Sequence, residues 1–293
     1  MKLVENEFIK FMEKFDANPF RIILEDGEHM IGDGEPVFTV KINKVPKMTD
    51  MLTSTSITLG EAYMNGDIEI EGDLYTALNM FLGQMGKFST DKKKLKNIIF
   101  TSKSKANQKK EVSSHYDIGN DFYKMWLDET LSYSCGYFKN DNDTLYQAQC
   151  NKVDRILEKL KLSENMTLCD IGCGWGFLLI EAAKKYKING VGITLSKEQK
   201  AKFEQRIKDE GLSERLEVKL LDYRDLPKLN KKFDRVVSVG MIEHVGRGNY
   251  EEFMQCVRSV LKPGGIFVLH FISALKEYPG DAWVKKYIFP GGV

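Results

Sequence analysis

No stretch of this sequence approaches the ~18 apolar residues that a membrane-spanning helix needs. The start, Met1 to Phe15, breaks its apolar residues with Lys2, Glu5, Glu7, Lys10, Glu13 and Lys14, so it has no hydrophobic segment of a secretory signal. Net charge is also nearly absent, 43 basic residues against 42 acidic. That excludes a surface built throughout for nucleic acid and makes any basic partner site a local one. There is no CxxC pair, and His244 and His270 stand at no finger-like spacing, which argues against structural zinc. The five cysteines, 135, 150, 169, 173 and 256, are odd in number, and Cys169 and Cys173 lie in and just after an apolar run. That pattern favours reduced thiols in a cytosol.

What is present is a chain of 293 residues with 42% hydrophobic content, enough for one large domain or two ordinary ones. Val4, Phe8, Phe11, Met12 and Phe15 fall at helical spacing. From Phe20 to Asn43 the pattern changes to strands, with Arg21-Ile22-Ile23-Leu24 and the alternating Phe38, Val40 and Ile42. Leu74, Ala77, Leu78, Phe81, Leu82 and Met85 mark one face of a second helix. Packing inside a small first domain is the simpler reading of both helices, and insertion of their apolar faces into lipid is the alternative. Between Lys92 and Lys110 stand eight lysines and no acidic residue. This reads as an exposed linker, able also to attract an anionic bilayer. The expected organisation is a first α+β domain over 1–90, a lysine-rich linker over 91–111 and a second domain over 112–293.

After the linker, strand and helix signals alternate. Thr167–Cys173, Asn189–Thr194, Leu216–Asp222, Phe233–Gly240 and Gly265–Ile272 are the strand candidates. The pattern predicts an α/β domain, a doubly wound, mostly parallel sheet with helices on both faces, whose ligands bind at the carboxyl ends of the strands.

At the end of the first of these strands, Gly172, Gly174 and Gly176 let the backbone turn sharply and approach a ligand closely. A nicotinamide fingerprint would want Gly or Ala where Phe177 stands, and an acidic residue roughly 20 positions on, where Thr194, Leu195 and Ser196 stand instead. No Gly-Lys-Ser/Thr follows, so this is not a phosphate loop. A nucleoside without a phosphate chain fits better, with Asp170 placed to accept hydrogen bonds from N–H groups of the turn. The run Asp170-x-Gly172-x-Gly174-x-Gly176 resembles the first motif of class I methyltransferases, which implies S-adenosylmethionine as cofactor. By the same resemblance Asp222 and Tyr223 meet the adenine. Gly192 to Gln199 resembles one subfamily, which assigns Thr194, Leu195 and Gln199 to the cofactor. Ser196 and Gln199 also form a capping-box pattern, so helix initiation is an equal reading.

His115 to Tyr123 and Tyr133 to Tyr137 carry more aromatic and polar residues than an ordinary linker helix. They read as a lid whose electron-rich rings attract a sulfonium and stabilise a carbocation, with Tyr116 and Ser134 at the cofactor. Core packing is the other reading of Tyr123 and Tyr137. Together with Gly240 to Gly246 and His270, these segments closely resemble cyclopropane-fatty-acyl-phospholipid synthases and their mycolic-acid relatives over nearly the whole chain. Leu59 to Asp67 resembles the accessory domain of the phospholipid enzymes.

The resemblance implies addition of a methylene to a cis double bond of membrane phospholipid acyl chains. It also implies an anionic membrane surface as partner, a cytoplasmic enzyme at the inner membrane surface, and a homodimer as one oligomeric form. An alkene attacking the activated methyl leaves a carbocation that must lose a proton to close the ring. In the family the base is a bound bicarbonate, held by residues matching Cys135, Glu243 and His270, with the backbone near Ile272 involved. A core thiol, a helix-start carboxylate and a strand histidine are the simpler roles for these three. His244 is expected to support the site. A complete sheet of this class has two more strands, so the chain is expected to be truncated, to bind cofactor weakly and to turn over slowly or not at all. The alternatives are a methyl-branching lipid C-methyltransferase and a non-catalytic lipid-surface module.

Overall fold

The alternation of buried and half-buried residues that dictates a one-sided sheet is clearest near the start of the chain. The computed structural model describes residues 2–95, 119–273, 275 and 281–288, and their contacts divide into two units. In the first, α1 (Lys2–Met12) is followed by β1 (Phe20–Leu24), β2 (Gly27–Ile31) and β3 (Phe38–Ile42). Then come α2 (Met48–Thr53), α3 (Thr55–Met64), β4 (Ile68–Gly72), α4 (Leu74–Gly83) and a single turn, α5 (Lys92–Leu95). The strands form a mixed sheet in the order β2-β1-β3-β4, with β1 and β3 parallel and the outer pairs antiparallel. Phe8, Phe11, Met12 and Phe15 are buried against it as their spacing predicts, whereas Val4, in the first turn of the same face, is exposed. Phe20 stacks on Phe38 at 5.2 Å and Phe81 meets both edge-on.

The face predicted for α4 is only partly right. Ala77, Met80 and Phe81 turn toward the core, whereas Leu78, Leu82 and Met85 are exposed. A single sheet contact covers an arc of i, i+3 and i+4, and the six apolar residues span a wider one.

A short helix, Ala282–Tyr287, packs on α3 and groups by its contacts with this first unit, whereas the expected second domain ran on to residue 293. The run Leu59–Asp67 is what receives it. A Cβ on Gly60 would lie 2.5 Å from the Trp283 ring, so only glycine fits there. Glu61 Oε1 accepts a 2.7 Å hydrogen bond from the Tyr287 hydroxyl and pairs with Lys286.

The second unit begins, within the described residues, with α6 (Asn120–Lys124) and α7 (Leu145–Leu160). There follow β5 (Thr167–Ile171), α8 (Phe177–Tyr186), β6 (Asn189–Thr194), α9 (Lys197–Asp209) and β7 (Leu216–Leu220). The last elements are β8 (Phe233–Val239), α10 (Ile242–Val245), α11 (Tyr250–Val260) and β9 (Leu261–His270). All five expected strands are present, and they form a wholly parallel sheet in the order β7-β6-β5-β8-β9. Leu157 and Leu160 of α7, Leu179 of α8 and Phe203 of α9 cover one face. Phe253, Val257 and Val260 of α11 cover the other. The sheet is doubly wound, and its strand order reverses direction between β5 and β8, where such folds open a crevice. Asp234 ties β5, β8 and β9 together. Its Oδ2 accepts from the Thr167 N–H at 2.9 Å and hydroxyl at 2.7 Å, and its Oδ1 from Lys262 at 2.9 Å. Among the described residues no helix is long and apolar enough to cross a membrane.

Candidate active site

The crevice outside the carboxyl ends of β5, β6 and β8 is a cavity of about 1120 Å³, its open mouth included. The turn after β5 forms its floor. Gly172, Gly174 and Gly176 have φ of +83°, +54° and +84°, the left-handed region that glycine enters without strain. A Cβ at Gly172 would stand 2.8 Å from Met241 and one at Gly176 2.1 Å from the Phe203 ring. The turn is thus packed from below and open to the cavity above.

Asp170 lines this cavity and is buried, and burial pushes its carboxyl up to about 7. The expected hydrogen bonds from the turn to Asp170 are not how the turn is held. The Gly172 and Cys173 N–H groups both donate to the Ile193 carbonyl at 3.0 Å, because the parallel pairing of β5 with β6 brings that oxygen beneath them.

After β6, Thr194, Leu195 and Gln199 also line the cavity. Ser196 Oγ accepts from the Gln199 N–H at 3.2 Å, so the helix-start reading holds. The Thr194 hydroxyl sits 2.6 Å from Gln199 Oε1, which fixes the amide at the cavity wall. After β7, Asp222 and Tyr223 both line the cavity. Arg224 grips Asp222 through Nε at 2.8 Å and its backbone N–H at 3.0 Å, both to Oδ1, and through Nη2 at 2.7 Å to Oδ2, which leaves a lone pair on Oδ2. Tyr223 packs edge-on against Phe253, and its hydroxyl is buried with no partner among the described residues.

Of the expected lid, Tyr116 lies outside the described residues. Tyr133 and Ser134 line the cavity, with Trp175 beside them. Tyr123 does not line it. It fills a core with Leu131 and Trp175, 5.0 Å from the Trp175 ring. Tyr137 is a surface residue under Arg155. Core packing, the other reading of Tyr123, is what the structure has, because aromatic density does not separate a ring beneath the site from one lining it.

Cys135, Glu243 and His270 do not line the cavity; their neighbours Ser134, Met241 and His244 do. The structure brings the three into two contacts beside it. Cys135 Sγ lies 3.6 Å from His270 Nε2, and Glu243 Oε1 accepts a 2.7 Å hydrogen bond from the Ile272 N–H. Glu243 Oε2 and His270 Nδ1 are buried with no hydrogen-bond partner among the described residues. Burial holds the His270 imidazole below its ordinary range. Lys152 acts in the same direction and Glu243 against it.

Sequence reasoning missed two polar residues of α7, Gln149 and Lys152. Gln149 Nε2 donates to the Ser134 carbonyl at 2.9 Å, and Lys152 Nζ donates to Ser134 Oγ at 2.7 Å. Both residues are buried in register with Ala148, Val153, Ile156 and Leu157. That register was the available signal, because a polar residue on an apolar helix face needs a buried partner.

A model of the mycolic acid cyclopropane synthetase family matches residues 103–293, and one of a domain of unknown function, DUF7884, matches residues 8–93. A probable fatty acid methyltransferase of Pseudomonas putida is 38% identical over 282 residues, covering 94% of this chain and 71% of that protein. The cyclopropane-fatty-acyl-phospholipid synthase of Escherichia coli is 41% identical over 248 residues, covering 83% of this chain and 63% of that one. The chain thus spans 71% and 63% of the length of these two relatives. The solved cyclopropane synthase MmaA2 of Mycobacterium tuberculosis superposes with a TM-score of 0.59 at 35% identity, over 63% of this chain and 68% of that one. The mycolic acid cyclopropane synthase CmaA1, solved with SAH and CTAB, gives 0.57 at 35% identity with the same shares. With a class I methyltransferase sheet and a family match over most of its length, this chain belongs to the mycolic acid cyclopropane synthetase family.

Proposed function

We propose that the chain binds S-adenosylmethionine and transfers a methylene from it to a cis double bond of unsaturated phospholipid acyl chains, with bicarbonate as the base. The observation that carries this reading is the pair of buried atoms beside the cavity, Glu243 Oε2 and His270 Nδ1, that have no hydrogen-bond partner among the described residues. Bicarbonate has one O–H to donate and oxyanion oxygens that accept. A carboxylate and an imidazole offer it an acceptor and a donor, so the residues present suit that ion. Asp170, Thr194, Gln199, Asp222 and Tyr223 would hold the cofactor, which supplies an activated methyl when bound. The alkene is a weak nucleophile; taking the methyl would break its bond to the sulfonium, release S-adenosylhomocysteine and leave a carbocation on the acyl chain. A base held beside the cavity would supply the acceptor for a proton lost from the added carbon as the ring closes. Glu243 and His270 would hold the base, with His270 set by its 3.6 Å contact to Cys135 Sγ and the Glu243 carboxylate fixed by the Ile272 N–H.

The family relatives named for phospholipid support a membrane substrate, and with it a peripheral place on the inner membrane surface. The substrate, the anionic surface and a homodimeric form are parts of the same proposal. A second reading, methyl branching without ring closure, draws on the Pseudomonas putida relative named as a methyltransferase. Incubation with methyl-labelled cofactor and unsaturated phospholipid vesicles separates them. The proposal expects labelled lipid that has lost its olefinic protons and gained ring methylene signals. Unlabelled lipid would overturn both readings.

A further inference from the structure

Among the described residues, one lysine and one arginine line the cofactor cavity, Lys152 and Arg224. Arg224 is taken, since both its Nε and Nη2 bond to Asp222. Among the described residues Lys152 makes no ion pair with a carboxylate. It is buried, and its ammonium donates to Ser134 Oγ at 2.7 Å and to Gln149 Oε1 at 2.5 Å. An ammonium has three protons and no lone pair, so the direction of the bond to Ser134 is fixed: the hydroxyl oxygen accepts. The Ser134 hydroxyl proton is then free to turn toward an acceptor in the cavity. S-adenosylmethionine carries one anionic group, the carboxylate of its amino-acid end.

Building on the cofactor reading above, we propose that Lys152 is a positioning residue. By donating to Ser134 Oγ it aims that hydroxyl's own proton at the methionyl carboxylate, and it adds a buried positive charge beside it. The proposal stands on the contacts, and the chemistry of the lysine gives it a pH signature. Burial brings Lys152 down to about 8, opposed by Cys135 on the Ser134 loop and by Asp128 in the turn after α6. From β9, His270 faces the same charge, and Asp170 and His244 share the cavity wall. As pH rises through about 8 the ammonium becomes an amine, which can accept the Ser134 proton and turn the hydroxyl away from the ligand. Binding of a carboxylate-bearing ligand is therefore strongest below that pH and weakens above it, by up to about tenfold per pH unit.

The test is calorimetric binding of S-adenosylhomocysteine, which keeps the amino-acid end, and of 5′-methylthioadenosine, which lacks it. Wild-type protein, Lys152→Met, Lys152→Arg and Ser134→Ala are compared. The ligand's amino group titrates in the same window, so the decisive comparison is wild type against Lys152→Arg, whose guanidinium stays charged. The proposal expects Lys152→Met to weaken S-adenosylhomocysteine about tenfold or more at neutral pH and to leave 5′-methylthioadenosine unchanged. Lys152→Arg should restore part of the affinity and lose the fall above about pH 8, and Ser134→Ala should also blunt that fall. Equal weakening of both ligands, or one pH profile for wild type and Lys152→Arg, would overturn the role of Lys152. If Lys152→Met does not fold, that second comparison still decides. Failure of wild type to bind either ligand would instead overturn the cofactor reading itself.

Discussion

Single residues in the turn after β5 differ in what they permit. Gly176 has φ +84° and would place a Cβ 2.1 Å from the Phe203 ring, whereas Gly174, at φ +54°, faces open space. Gly176→Ala should therefore cost about 3 kcal/mol or more, and Gly174→Ala only about 1 kcal/mol, the strain of a left-handed side chain. Chemical denaturation of the two variants checks the order, and equal losses would contradict the packing argument. Asp170 gives a pH prediction of definite sign. Its folded value of about 7 is raised by burial above its ordinary 3.8. Its stabilising contribution is thus complete below the ordinary carboxylate range and is lost as pH rises toward about 7. The ligand-free protein should lose on the order of a few kcal/mol across that window from this group. Asp170→Asn should flatten that part of a melting-temperature profile. The residues of the turn were readable because glycine spacing reports backbone demand directly. Lys152 was not, because its meaning depends on Ser134, eighteen positions away and on another element.

Elements were legible where one periodicity dominated. The five strands of the parallel sheet stand where their apolar runs placed them, and α1 buries the phenylalanines that its spacing selected. On α4 the six apolar residues overdefine a face, and only the contact itself shows which part of the arc is covered. The helix Ala282–Tyr287 was beyond sequence reasoning for a different reason, since its partner α3 lies more than two hundred residues earlier. Gly60 is the space that Trp283 occupies. Gly60→Val should displace that ring and red-shift the Trp283 emission, read in a protein whose other tryptophans, Trp126 and Trp175, are replaced by phenylalanine. Unchanged emission would contradict the contact. Asp234 offers a test within the second unit. Although burial works the other way, the Thr167 and Lys262 hydrogen bonds hold it down at about 2. The stability it supplies is present above the ordinary carboxylate range and is lost as pH falls toward about 2. Asp234→Asn should cost about 1 kcal/mol at neutral pH, a figure kept small because the carboxylate is partly solvated, and should remove that share of the acid sensitivity.

At the scale of the molecule, the reversal of strand order between β5 and β8 decides where chemistry can happen. It gathers the ends of β5, β6, β7 and β8 around one cavity and sets the Cys135–His270 and Glu243–Ile272 contacts beside it. A nucleoside site alone would serve many reactions. In the proposed function, what narrows it is the neighbouring pair of buried polar atoms, Glu243 Oε2 and His270 Nδ1, which would hold a small base. The most direct measurement supplies S-adenosylmethionine with a fully deuterated methyl group to the protein and unsaturated phospholipid vesicles, then weighs the lipid product. Base removal from the added carbon predicts a product that keeps two of the three deuterons. Retention of all three would mean methylation without that deprotonation, and lipid with no deuterium at all would contradict carbon alkylation by this chain.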